Sequence, residues 1–237
     1  MPDQSAVNVD AKNPSALGGG AQARKETTRD QIVAAALDLF RERGFEAATM
    51  REIAARAHVA IGAAYYYFAS KDAIVLAFYD RAQKEMAPKL EDTFSSTRDL
   101  RLTLDRLITV KLEYFKTSRA LLAALTAHAD PDSPVSPFSV ATREIRERDM
   151  DYFRRAIAIS NSRIPKDLQR CLPQILWMYQ MGVILFWIYD RSNEQRRTRS
   201  LIDKSLRLVA ALIKASGLPL LKPLRHLVID LVETVES

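Results

Sequence analysis

The residues best equipped for chemistry in this 237-residue sequence lie in one short stretch, T-M-R-E-I-A-A-R-A-H-V-A-I-G-A-A-Y-Y-Y-F-A-S-K, positions 49–71. Tyr65, Tyr66 and Tyr67 supply three consecutive hydroxyls, Thr49 supplies another, and Arg51 and Lys71 supply cations. These are groups that hold phosphates and base edges, not groups that make and break covalent bonds. Ile61, Gly62 and Ala63 add small or apolar contact surface suited to thymine methyls, and Gly62 lets a backbone approach a groove wall closely. No Arg, Asn or Gln falls on the outer face of residues 60–68, so bidentate base reading must come from elsewhere or be absent. Arg51 is the best remaining candidate for a base or phosphate contact, with a surface ion pair as the alternative.

Other chemistries fare worse. His58, His128 and His226 lie far apart, and no HExxH, nucleophile elbow or phosphate loop is present, so no catalytic residue is expected. His128, Asp130 and Asp132 form a weak metal constellation that reads better as a Pro-rich surface loop, so neither metal nor cofactor is expected. The single cysteine, Cys171, sits among apolar neighbours as an inert buried thiol, consistent with a reducing cytoplasm.

The elements that position the stretch are two short helices and a tight turn. Thr49 and Glu52 have capping-box spacing, which starts a helix over residues 50–57. Ala57-His58-Val59 makes the turn, Val59 plugs the angle, and a second helix covers 60–68. Ala64, Tyr65 and Phe68 can reach inward, while Ile61, Gly62, Ala63 and Tyr66 face out. Tyr65 is open between a base contact and a mostly buried ring. Two short helices over a three- to four-residue turn form a helix-turn-helix, whose second helix suits the major groove.

Upstream, Ile32, Ala35, Ala36, Leu39 and Phe40 form one apolar stripe, opened by a possible cap at Thr28 and closed by Gly44 at the left-handed C′ position. With Phe45, Ala48, Val59, Gly62, Tyr65, Phe68 and Ser70-Lys71, this pattern resembles the DNA-binding domain of the TetR family of transcriptional regulators. The resemblance covers roughly a fifth of the chain. It implies Tyr65 near bases, Tyr66 and Tyr67 near backbone phosphates, and Thr49 and Lys71 holding phosphates at helix N-termini. Two positions depart from it. His58 stands where Gly is common, and Ala60 where a capping Ser or Thr is common, which removes a cap worth about 1 kcal/mol.

The remaining sequence reads as helix throughout, giving an all-α expectation: a disordered tail at 1–23, a three-helix helix-turn-helix domain at 24–72, and a helical effector-binding and dimerisation domain at 73–237. Ser70 caps a long helix that Pro88 should kink or end, and Pro173 should kink the most apolar helix, at 165–189. The apolar run 175–189 is shorter than the roughly 18 residues of a membrane span and contains Gln180, so no membrane partner is expected. The formal net charge of +6 is not concentrated on the proposed DNA-binding domain, where residues 24–72 carry eight basic and seven acidic side chains. The motif, not bulk charge, carries the nucleic-acid expectation.

By resemblance, the chain is expected to bind double-stranded operator DNA as a homodimer through its last large helices, in the cytoplasm. It is expected to act as a repressor released by a small hydrophobic or aromatic effector. An activator of the same fold and an α-helical enzyme are the alternatives. Phe78, Tyr114, Phe115, Trp177, Met178 and Met181 are the candidate effector-pocket residues, with plain core packing the competing role for each.

Overall fold

The computed structural model describes residues 16–236, and among them there are ten α-helices, four short 3-10 turns and no strand. The first helix, α1, runs Ala16–Arg43. It begins twelve residues before the expected cap at Thr28, so residues 16–23 are helix rather than tail; residues 1–15 lie outside the described residues. Gly44, at φ 85°, ends α1 with its N–H on the Phe40 carbonyl at 3.0 Å, as a C′ glycine should.

Helices α2 (Met50–Arg56), α3 (Ile61–Tyr67) and α4 (Lys71–Ser96) follow. Thr49 and Glu52 form the complete capping box, and Ser70 caps α4 through the Ala73 N–H at 3.2 Å. Pro88 neither ends nor interrupts α4. Met86 and Leu90 on either side of it are buried in the large core, and two side chains of this size contribute about 1.5–3 kcal/mol each, enough to offset the proline.

Beyond it come α5 (Leu100–Phe115), α6 (Arg119–Leu125), α7 (Arg143–Ile159), α8 (Lys166–Tyr189), α9 (Arg196–Ala215) and α10 (Lys222–Glu236). Helix α8 likewise runs unbroken through Pro173, which is buried beside Leu172 and Leu176. By length and composition α8 would suffice to cross a membrane; its Leu176, Trp177, Val183 and Trp187 are buried within the fold.

Two cores result. The larger joins α4, α5, α7, α8 and α9 around Leu104, Leu107, Ile108, Phe153, Leu176 and Trp187. The smaller gathers Ile32, Phe40, Phe45, Ile53, Ala64, Phe68 and Phe78, but it also takes in Leu121 and Leu125 of α6 and Val135 of the loop before α7. The N-terminal unit is therefore completed by side chains from the second half of the chain.

Candidate nucleic-acid interface

The turn between α2 and α3 is built by backbone bonds from Ala57 N to the Ile53 carbonyl (2.9 Å), His58 N to Ala55 (3.1 Å) and Val59 N to Ala54 (3.0 Å). They force His58 to φ 54°, the left-handed region in which a glycine would be unstrained. Ala60 is the N-cap of α3 at φ −64°, ψ 146°, with no side-chain cap bond.

Helix α3 turns Ala64 and Phe68 into the small core. Ile61 and Gly62, with Tyr65 and Tyr66 one turn on, form the opposite face. Tyr65 is 53% exposed and Tyr66 72% exposed, and a Cβ added at Gly62 would meet nothing within 4 Å. Tyr65 thus faces outward, which removes the buried-ring alternative. Tyr67 is the tyrosine that packs on the core, its ring edge-on to Tyr66 at 5.2 Å between centroids. Ala63 is half-buried at the border of the face.

The charges around this face divide into paired and unpaired. Arg56 grips Glu42 through two bonds of 2.8 Å, Arg43 reaches Glu52 at 2.7 Å, and Arg41 reaches Asp38 at 2.7 Å. The Arg56 hydrogen bonds hold the Glu42 carboxyl below its ordinary range, and the Thr49 hydroxyl and backbone N–H do the same for Glu52. Arg51 is exposed and has no ion-pair partner among the described residues, so the ion-pair alternative for it is not realised. Thr49 donates its hydroxyl to Glu52 at 2.9 Å and is committed to the cap.

Lys71 departs from expectation. Its Nζ donates to the Phe45 carbonyl at 2.7 Å and the Glu46 carbonyl at 3.0 Å, and lies 4.8 Å from the Phe45 ring centre. The ammonium is drawn into the fold to hold the turn after α1, which leaves at most one of its three donors for a phosphate. Arg29, absent from the sequence expectation, lies over the Phe68 ring at 5.1 Å, beside the end of α3. An arginine on α1 one turn before the apolar stripe is visible in the sequence, but its neighbour is set by packing.

A cavity of about 150 Å³ opens in the second half, between α4, α5, α7 and α8. Of the expected pocket residues, Phe115, Trp177 and Met181 line it. Phe78 is instead a buried side chain of the small core, Tyr114 turns away to Glu85 at 2.6 Å, and Met178 is 46% exposed on the outer side of α8. The sequence expectation missed Lys111, Asp149 and Gln180. Lys111 Nζ, on a side chain 3% exposed, donates to Asp149 and to Gln180 at 2.6 Å each, and Gln180 donates to Asp149 at 2.7 Å. A lysine on the apolar stripe of α5 was the available signal. Burial lowers the pKa of Lys111, opposed by the attraction of Asp149. Among the described residues no cluster of His, Cys, Asp or Glu is arranged to hold a metal; His128 pairs with Glu46 at 3.0 Å and Asp130 caps its own turn.

These two features have counterparts in known proteins. The model of the "Tetracyclin repressor-like, C-terminal domain" matches residues 104–234, over half of the chain, and that of "Bacterial regulatory proteins, tetR family" matches residues 32–78. The chain belongs to the TetR family. A curated relative, the HTH-type transcriptional repressor KstR2 of Rhodococcus jostii, is 31% identical over 99 residues, 42% of this chain and 48% of that protein. The chain thus matches about half or less of the length of its curated relatives. Solved structures align over more of the molecule. A regulator from Nitrosomonas europaea has TM-score 0.61 at 22% identity, covering 77% of this chain and 97% of that one. SmeT, solved as a complex with triclosan, has TM-score 0.58 at 20% identity, covering 77% and 91%. At these identities the structures establish the shared fold. TetR-family proteins are regulators, in keeping with the expectation that the chain is not an enzyme.

Proposed function

We propose that this TetR-family chain is a homodimeric, sequence-specific repressor that leaves its operator when a small apolar or aromatic effector fills the second-half cavity. The carrying observation is the outward face of α3, where Ile61, Gly62, Tyr65 and Tyr66 stand clear of the core on a helix anchored by Ala64 and Phe68. On bound DNA, Ile61, Gly62, Ala63 and Tyr65 meet bases, and Tyr66, Tyr67 and Arg51 meet the backbone. Ala60 and Thr49 flank the phosphates at the helix starts, and Lys71 chiefly braces the turn at Phe45. Repression is favoured by the likeness to KstR2, described as a transcriptional repressor, and a small effector by the likeness to SmeT, solved with triclosan bound. The work belongs in the cytoplasm, on double-stranded DNA.

Dimerisation is supported by an apolar stripe on α8 and α9 that the protomer leaves uncovered: Met178, Leu185, Phe186 and Tyr189, continued by Leu208 and Leu212. Two protomers joined there present two copies of α3 to half-sites about 34–36 Å apart.

Coupling runs through two elements that touch both sites. Helix α4 lines the cavity with Gln83 and Met86 and starts at Lys71, beside Phe45. Helix α6 lines it with Leu122, buries Leu121 and Leu125 in the small core, and leads into the 3-10 turn Thr126–His128. There His128 packs edge-on to Phe45 at 5.2 Å and pairs with Glu46. An effector that wedges α4 from α6 shifts both supports of the helix-turn-helix, and its differential affinity for the displaced state weakens DNA binding.

Selection of bound duplexes from a random pool tests the reading. A two-fold related consensus, lost with Tyr65→Ala and bound more weakly by Tyr66→Ala, is expected. Failure of the folded protein to enrich any sequence sinks it.

A further inference from the structure

The cavity itself constrains what can occupy it. About 150 Å³ is the size of site that one benzene ring fills in a protein interior. Most of its wall is carbon, from Met86, Phe115, Trp177, Met181 and Ile184. The charged groups in the wall are engaged by protein partners. Lys111 and Asp149 neutralise one another and close a ring of hydrogen bonds with Gln180. Arg146 donates to the Pro137 carbonyl at 2.7 Å and lies over the Trp177 ring at 5.8 Å. A ligand carboxylate would shed its hydration next to Asp149, which already holds the buried ammonium, while Arg146, the cation of the wall with no carboxylate partner among the described residues, is turned to the Pro137 and Ser139 carbonyls.

One lining residue is incompletely satisfied. Gln83 donates its Nε2 to the Ile145 carbonyl at 2.6 Å, which fixes the amide orientation. Its Oε1 is buried and, among the described residues, is the one such side-chain atom without a hydrogen-bond partner. Gln83 lines the cavity, so a donor bound there and met by a small shift of the amide satisfies that oxygen, whereas a ligand without a donor leaves it orphaned.

We propose that the cavity takes a compact, uncharged, single-ring molecule with one hydrogen-bond donor, a phenol-class ligand, whose hydroxyl meets Gln83 Oε1 and whose ring lies against Trp177 and Met181. This deepens the effector reading above and rests on it for its regulatory meaning.

The full-length protein is titrated with p-cresol, toluene and benzoate, probes of similar size that differ in donor and charge. Thermal midpoint and tryptophan emission are the readouts, since a ligand bound by the native state raises its stability. The expected order is p-cresol tightest, toluene roughly three- to tenfold weaker, and benzoate weakest. Gln83→Met keeps the bulk and removes the acceptor, so it should bring p-cresol and toluene to equal affinity while toluene binding persists. Met181→Trp should fill the space and abolish all three. Benzoate binding tightest, toluene equalling p-cresol in the wild type, or no binding by any probe to the folded protein overturns the proposal. Should Gln83→Met fail to fold, the wild-type order decides alone. Operator binding is measured in parallel. Intact DNA binding with no probe bound overturns the ligand assignment alone, whereas p-cresol binding with no effect on DNA overturns the effector reading and leaves the ligand class standing.

Discussion

Lys71 decides how much of the interface is recognition and how much is scaffolding. Replacing it with Met keeps the length and apolar stem but removes both bonds to the Phe45 and Glu46 carbonyls and the contact with the Phe45 ring. A bond from a charged donor contributes about 1.5–3 kcal/mol when well buried. Lys71 is only half-buried, so about 1 kcal/mol for each of its two bonds is the better figure. The partly buried cation–π contact adds about 0.5 kcal/mol. The loss of about 2–2.5 kcal/mol should lower the melting temperature by roughly 4–10 °C in a chain of this size. Thermal unfolding followed by near-ultraviolet circular dichroism measures it.

The companion measurement is the salt dependence of operator binding, compared with Arg51→Ala. Among the described residues Arg51 has no ion pair to lose, so its removal should leave stability within about 0.5 kcal/mol. It should make the slope of log K against log salt shallower by about 0.9 for each half-site contacted. Lys71→Met should leave that slope nearly unchanged at concentrations where the variant is folded. A melting temperature within about 1 °C of wild type, with a slope as shallow as that of Arg51→Ala, would refute the bracing argument. The ammonium would then be releasing its carbonyls to serve a phosphate.

Four further outcomes follow from the geometry. Ala60→Ser supplies the absent side-chain cap of α3 in an already extended N-cap conformation and should stabilise by about 0.5–1 kcal/mol, read as a higher melting temperature. Phe186→Asp with Leu212→Asp places charge on the uncovered stripe of α8 and α9 and should halve the mass seen by sedimentation at micromolar protein. Lys111→Met strands Asp149 beside Gln180 and should destabilise by about 3–5 kcal/mol in denaturant melts, while adding Asp149→Leu should recover much of that loss. Burial alone would raise the Asp190 pKa, but hydrogen bonds from Ser192 N and from Thr198 N and Oγ1 outweigh it and hold the carboxyl well below its ordinary 3.8. With the folded pKa depressed, the carboxylate stabilises the fold above the unfolded value and loses that contribution as pH falls. The deficit of Asp190→Asn at pH ~7 should therefore shrink below pH ~4 in parallel melts.

What was legible in the sequence was local. The Thr49–Glu52 box, the Ser70 cap, Gly44 and the stripe from Ile32 to Phe40 each depend on partners within a turn or two, and each stands where its spacing put it. The orientation of the tyrosines is legible too, from the helical period alone. From Ala64, an advance of three residues to Tyr67 is a rotation of about −60°, while one residue to Tyr65 is about +100°, so an inward Ala64 carries Tyr67 towards the core and Tyr65 away from it. Pro88 and Pro173 misled because proline's effect on a helix is local, while the burial that overrides it comes from distant helices.

The cavity lies at the other extreme. Gln83 meets the Ile145 carbonyl across 62 positions, and Lys111 meets Gln180 across 69. No spacing rule reaches that far, and Phe78, Tyr114 and Met178 were plausible lining residues only because aromatic and Met side chains serve cores, cavities and outer faces alike. A polar residue on a buried stripe is more informative. Lys111 falls three positions after Ile108 and immediately before Leu112, both buried, on an amphipathic helix whose other face was free to carry it. An ammonium held there needs a carboxylate partner arriving from another helix. Such a residue marks, before any coordinates exist, where two distant segments must meet, and in this chain the meeting point of α5, α7 and α8 is the wall of the cavity.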